Sequence, residues 1–98
     1  MVNLKYETLS AISRSKGSVV WAVINKGDNE YILRPCYTKE EYREWLESLD
    51  FEYDDANGFQ EIYGKIGLDN MKWLERKEYD GSEYWEICQI PQFPQQYL

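Results

Sequence analysis

The sequence predicts an α+β domain in which an antiparallel sheet of about five strands carries one main helix packed on a face. Three observations lead there. Residues 38–49 combine a helix cap with a helical apolar period. Runs rich in Val, Ile, Tyr and Trp lie on both sides of that segment, bounded by turn residues. Asp80-Gly81, between two such runs, is a strong hairpin signal. Strand runs separated by a helix give the order hairpin, helix, three-stranded meander, in a single domain over 1–98.

From the start of the chain, Leu4, Leu9 and Ile12 can line a short helix near Leu4–Ser13, weakened by Ser10, Ser13 and Ser15. Lys16-Gly17-Ser18 breaks it. Val19–Ile24 is wholly apolar, as in a central strand buried on both faces. Asn25–Asn29 is turn chemistry, and Glu30–Arg34 returns as a second strand. Pro35 ends the hairpin. Thr38 then caps a helix and Glu41 completes a capping box. Tyr42, Trp45, Leu46 and Leu49 fall at i, i+3, i+4 and i+7, one apolar stripe. Glu40, Glu41, Glu44 and Glu47, with Lys39 and Arg43, form the wet face. Attractive and repulsive pairs along it nearly cancel, so burial of the stripe must hold the helix.

Phe51–Asp54 alternates like a short strand, and Asp55-Ala56-Asn57-Gly58 is a loop. Phe59–Ile66 is a strand in which Gly64 suggests a bulge. Gly67–Asn70 turns. Met71–Tyr79 is a strand anchored by Trp73. Glu83–Ile90 returns with Trp85 and Ile87 on one face and Tyr84, Glu86 and Cys88 on the other. Pro91 and Pro94 stop it, and the tail from about 91 is extended or loose.

Composition narrows the function. The chain has 98 residues and a net charge of −7, from 18 acidic against 11 basic side chains. That disfavours direct nucleic-acid binding through a basic face and suits a basic partner, or solubility alone. Four Trp, nine Tyr and three Phe supply material for a core and for an interface. Cys36 and Cys88 are far apart and no apolar leader opens the chain, so reduced thiols in the cytoplasm are expected. No apolar run approaches the roughly 18 residues of a membrane span. The absence of histidine removes the commonest general base and metal ligand, so an enzyme is not expected, nor a cofactor.

Two acidic arrangements remain. Asp50, Glu52, Asp54 and Glu61 have the 1, 3, 5, 12 spacing of an EF-hand loop. The sixth position is Asp55 rather than Gly, the eighth is Asn57 rather than apolar, and a strand follows. A solvated acidic loop is therefore favoured over a metal site. The second is the run Glu40, Glu41, Glu44, Glu47, Asp50, Glu52, Asp54 and Asp55. Such a row can stand in for phosphates and occupy a basic nucleic-acid channel, or it can be an ordinary wet face. Aromatics around Tyr79–Glu86 can be core, cross-strand pairs or a contact patch. Base stacking there is disfavoured by Glu83 and Glu86.

The run Trp73-Leu74-Glu75-Arg76-Lys77-Glu78-Tyr79-Asp80-Gly81-Ser82-Glu83-Tyr84-Trp85-Glu86, followed by Ile90-Pro91, resembles a pattern in small uncharacterised acidic proteins of tailed bacteriophages. The resemblance covers mainly residues 71–94. It implies an early or accessory phage protein in the bacterial cytoplasm, of a kind that binds a host protein, including defence nucleases. The expected function is a non-enzymatic module of anti-CRISPR or anti-restriction type. Glu40, Glu44, Glu47, Asp50, Glu52, Asp54 and Asp55 would meet a host protein's basic nucleic-acid-binding surface. Membrane association is not expected; a homodimer is allowed. The alternative is a metal-binding or structural domain using the Asp50–Glu61 loop.

Overall fold

The computed structural model describes residues 1–56, 58–91 and 93–97. In chain order these form β1 (Val2–Asn3), α1 (Leu4–Ser15), β2 (Val19–Lys26), β3 (Asn29–Leu33) and α2 (Lys39–Ser48), then β4 (Glu52–Tyr53), β5 (Ile62–Leu68), β6 (Lys72–Tyr79) and β7 (Ser82–Gln89). The fold is α+β, with hairpin, helix and meander in the expected order. Asp80 and Gly81 both take positive φ, the backbone of a two-residue hairpin turn, and fix the β6–β7 register from Tyr79↔Ser82 to Lys72↔Gln89. Gly27 at φ 58 does the same between β2 and β3, with Lys26 opposite Asn29. Five of the strands form one antiparallel sheet in the order β3-β2-β5-β6-β7. β5 enters between the two hairpins and joins them.

Helix α2 starts as its sequence requires. The Thr38 hydroxyl accepts from the Glu41 N–H at 3.1 Å, and the Glu41 carboxylate accepts from the Thr38 N–H at 2.9 Å. Trp45 and Leu49 are buried, and Tyr42 and Leu46 pack against the core. The Trp45 indole N–H donates to the Tyr31 carbonyl on edge strand β3 at 3.3 Å, which blunts that edge.

Several expectations are corrected. The helix expected near Leu4–Ser13 is present as α1 and runs on to Ser15. Its fully buried face is Leu4, Thr8, Ala11 and Ser15, with Ile12 partly buried against the core and Leu9 half-buried. Small residues let the helix lie close to β6 and β7, and its polar members are satisfied. Thr8 accepts from the Trp85 indole at 3.0 Å, and Ser15 donates to the Ile12 carbonyl at 2.6 Å. Both helices pack on the same face of the sheet, α1 over β6 and β7, α2 beside β3. The other face stays open, so β2 is not buried on both sides: Val20 and Val23 are exposed. The bulge lies on β2 between Val19 and Trp21, not at Gly64. Gly64 serves a close backbone approach instead. At φ 146 a Cβ would stand 2.3 Å from the Val23 carbonyl oxygen.

Strand β5 starts at Ile62 and continues through Gly67 and Leu68, so the turn falls at 69–71, where Met71 takes φ 64. On β6 the core positions belong to Leu74 and Arg76, and Trp73 stands half-buried on the open face. β4 pairs with β1 outside the main sheet. In the tail, Gln95–Tyr97 makes one 3-10 turn, and Tyr97 packs edge-on against Phe93. Asn57, expected in the acidic loop, and Gln92 and Leu98 of the tail lie outside the described residues.

Candidate functional site: an acidic groove beside the sheet edge

Edge strand β3 and helix α2 run side by side and leave a groove of about 320 Å³ between them. Glu30 from β3 and Glu41 and Glu44 from α2 line it, with Trp45 and Ser48. Arg34 is the one basic residue of the lining. Glu41 is committed to the cap, whereas Glu30 and Glu44 have no ion-pair partner among the described residues. The groove joins uncompensated carboxylates to the flank of a sheet edge, so it can receive cationic side chains carried by another chain.

The expected acidic residues are dispersed over the helix, the N-terminal segment, β4 and the loop after it. Glu44 faces the groove. Glu40 pairs with Arg43 at 3.2 Å on the exposed side of α2. Glu47 holds the Lys5 ammonium of α1 at 2.5 Å, and Asp50 accepts from the Asn3 amide at 2.8 Å. The hydrogen bond from Lys5 to Glu47 is the main reason the lysine's pKa is raised. Glu52 is exposed on β4. Asp54 accepts from the Ala56 N–H at 3.1 Å, and the half-buried Asp55 offers its carbonyl to the Glu83 N–H at 2.9 Å. These residues therefore do not line up as one row.

The EF-hand spacing is not realised. Glu61, the would-be twelfth ligand, turns its carboxylate to the Asp54 N–H at 3.1 Å. Glu52 lies in a strand paired with Asn3, and Asp50 is held by that same residue. Among the described residues no three His, Cys, Asp or Glu side chains gather as a cation site.

A second cluster, missed by the sequence reading, is buried. Arg76 donates from Nη1 to Glu7 at 2.9 Å, and from Nη2 to the Tyr53 hydroxyl at 2.7 Å and Glu83 at 3.2 Å. Its guanidinium lies 5.4 Å from the Tyr53 ring centroid and 5.0 Å from that of Trp85. The Glu83 carboxylate also accepts from the backbone N–H groups of Glu61 and Ile62 at 2.5 and 3.0 Å. Tyr53 donates to Glu7 at 2.6 Å. These side chains tie α1, β4, β6 and β7 together. A signal for them existed: the Asp80-Gly81 register places Arg76 opposite Trp85 on the helix-facing side of the sheet.

Burial, and secondarily its hydrogen bond to Glu7, push the Tyr53 hydroxyl well above the usual tyrosine pKa. A folded-state value above the unfolded one, near 10, means this hydroxyl's contribution is complete below about pH 10 and is lost as pH rises past it. Urea midpoints measured at about pH 9 and about pH 11 should therefore fall, and Tyr53→Phe should reduce the drop. An equal drop in the variant would assign the alkaline loss to other tyrosines. Cys88 and Cys36 are free. Burial first, then Glu86, raises the Cys88 thiol, which makes it a poor nucleophile.

No helix among the described residues is long and apolar enough to cross a membrane. Comparison of the chain with protein-family models, curated proteins and solved structures finds no match.

Proposed function

We propose that the protein is a non-enzymatic binding module whose acidic groove receives a basic, nucleic-acid-binding surface of another protein. The observation that carries this reading is the pair Glu30 and Glu44, facing one groove beside the sheet edge without cationic partners among the described residues. Carboxylates there compete for the lysines and arginines that otherwise hold phosphates. The exposed Glu52 adds to the field that steers such a partner, while Glu40 is partly neutralised by Arg43 and Glu47 by Lys5. The partner in this reading is a bacterial host factor of the nucleic-acid-handling or defence kind, the class that a phage origin would imply.

The test is capture from nuclease-treated bacterial lysate at low and high salt, followed by competition with duplex DNA. A basic nucleic-acid-binding protein should be retained at low salt, released at high salt and displaced by DNA. Glu30→Lys combined with Glu44→Lys should weaken that binding at least about tenfold while leaving the melting temperature near that of the parent. Undiminished binding by the folded double variant would overturn the reading.

A further inference from the structure

The open face of the sheet differs from the rest of the surface. Both helices lie on the opposite side, yet this face carries half-buried Trp21 and Trp73 and the exposed Val23, Ile32, Tyr63 and Tyr84. The Trp21 indole lies over Gly67, where a Cβ would come within 2.3 Å of its nitrogen. A depression of about 390 Å³ opens beside the two indoles, with Met71 and Ile90 at its margin.

Its charge is also unlike the remainder. In a chain of net charge −7, the three strands β5–β7 present Lys65 and Lys77 here against Glu75 and Glu86. A strongly charged partner of either sign finds no complement on this surface. A second copy does, because alternating Lys and Glu can be self-complementary about a two-fold axis.

We infer that this sheet face is the self-association surface of the protein, two copies packing open face to open face. Lys65 stands opposite Glu75 and Gly67 opposite Trp73 in the β5–β6 register. A two-fold axis running along the strands between β5 and β6 therefore sets Lys65 of each copy against Glu75 of the other. The same axis sets Trp73 of each copy over the Trp21 indole that covers Gly67 of the other. With the axis between β5 and β6, strands β2, β5, β6 and β7 meet counterparts and β3 does not. Strands about 4.8 Å apart, with a rise of about 3.3 Å per residue, then give a shared face of roughly 450–500 Å². The pair would bury roughly 900–1,000 Å² in total, the size of a weak, concentration-dependent association. The acidic groove lies at the β3 edge beside α2 and shares Ile32 with this face, whereas the self-association rests on Lys65, Trp73 and Glu75 of β5 and β6, which do not line the groove.

Sedimentation at concentrations from about 10 μM to about 1 mM should show the mass rise from 11.8 kDa toward twice that value. Lys65→Glu and Glu75→Lys should each raise the dissociation constant at least about tenfold, since each sets like charges against one another twice per dimer. Mixing the two variants should restore association, because both cross-copy pairs then again join Lys to Glu. A wild-type chain monomeric throughout that range would overturn the inference. So would single variants that associate like the parent, or a mixture that stays monomeric.

Discussion

Arg76→Ala is expected to destabilise the domain by about 3–5 kcal/mol, read as the shift in unfolding free energy from urea titration. The arginine side chain is fully buried, as is that of Glu83. Removing the guanidinium leaves a carboxylate in the interior with two backbone N–H groups and no counter-ion. Glu7 and the Tyr53 hydroxyl lose a donor as well. The two ring contacts go with it. Against a total of about 5–15 kcal/mol for a small domain, this is a large share. Removing Glu83 together with Arg76 should recover part of the loss, because much of the penalty belongs to the stranded charge. A loss below about 1 kcal/mol for Arg76→Ala would mean that water or a rearranged carboxylate replaces the guanidinium.

Trp45→Ala should cost a similar amount, about 3–5 kcal/mol. The indole is 4% exposed and is the one fully buried side chain of the α2 stripe within the helix itself. It also supplies the donor that covers the Tyr31 carbonyl, and it lines the acidic groove. Trp45→Phe keeps most of the apolar volume and gives up the hydrogen bond, so it should cost only about 1–2 kcal/mol. Thermal melts of the two variants separate packing from edge-capping. Equal losses would show that the hydrogen bond, not the ring, holds α2 to the sheet. Neither variant serves to test partner binding, since each disturbs the groove floor.

The parts of the fold legible in the sequence are those set by local chemistry. Thr38 with Glu41 defines a cap without reference to the rest of the chain, and Asp80-Gly81 defines a register. Less legible is whatever depends on which face of an element meets the core. On β6, Trp73 and Leu74 are adjacent and both apolar, so alternation admits either phase; the packing of α1 selects Leu74 and Arg76. A charged residue at a core position reads as a wet one until its partners Glu7 and Glu83 are brought in from distant segments. On α1 the buried stripe includes Thr8 and Ser15, whose polarity hides it from a hydrophobicity pattern. The groove behaves the same way. Glu44 was readable as an exposed helix acid, but its companion Glu30 belongs to a strand whose flank meets α2 only in the folded chain.

The place of β5 in the sheet has a consequence for the route by which the chain reaches this structure. The β2–β3 and β6–β7 pairs close across two-residue turns, and α2 needs only its own cap and a surface to rest on. The β2–β5 seam joins Lys26 to Ile62 and so encloses residues 27–61. Closing a loop of that length costs about 3 kcal/mol in chain entropy before any side chain is buried. The seam is also where Ala22, Ile24, Ile62 and Ile66 enter the core together. Search time is therefore concentrated in one strand pairing, and Gly64, whose missing side chain lets β5 draw close to the β2 backbone, stands at the step that joins two quickly formed halves.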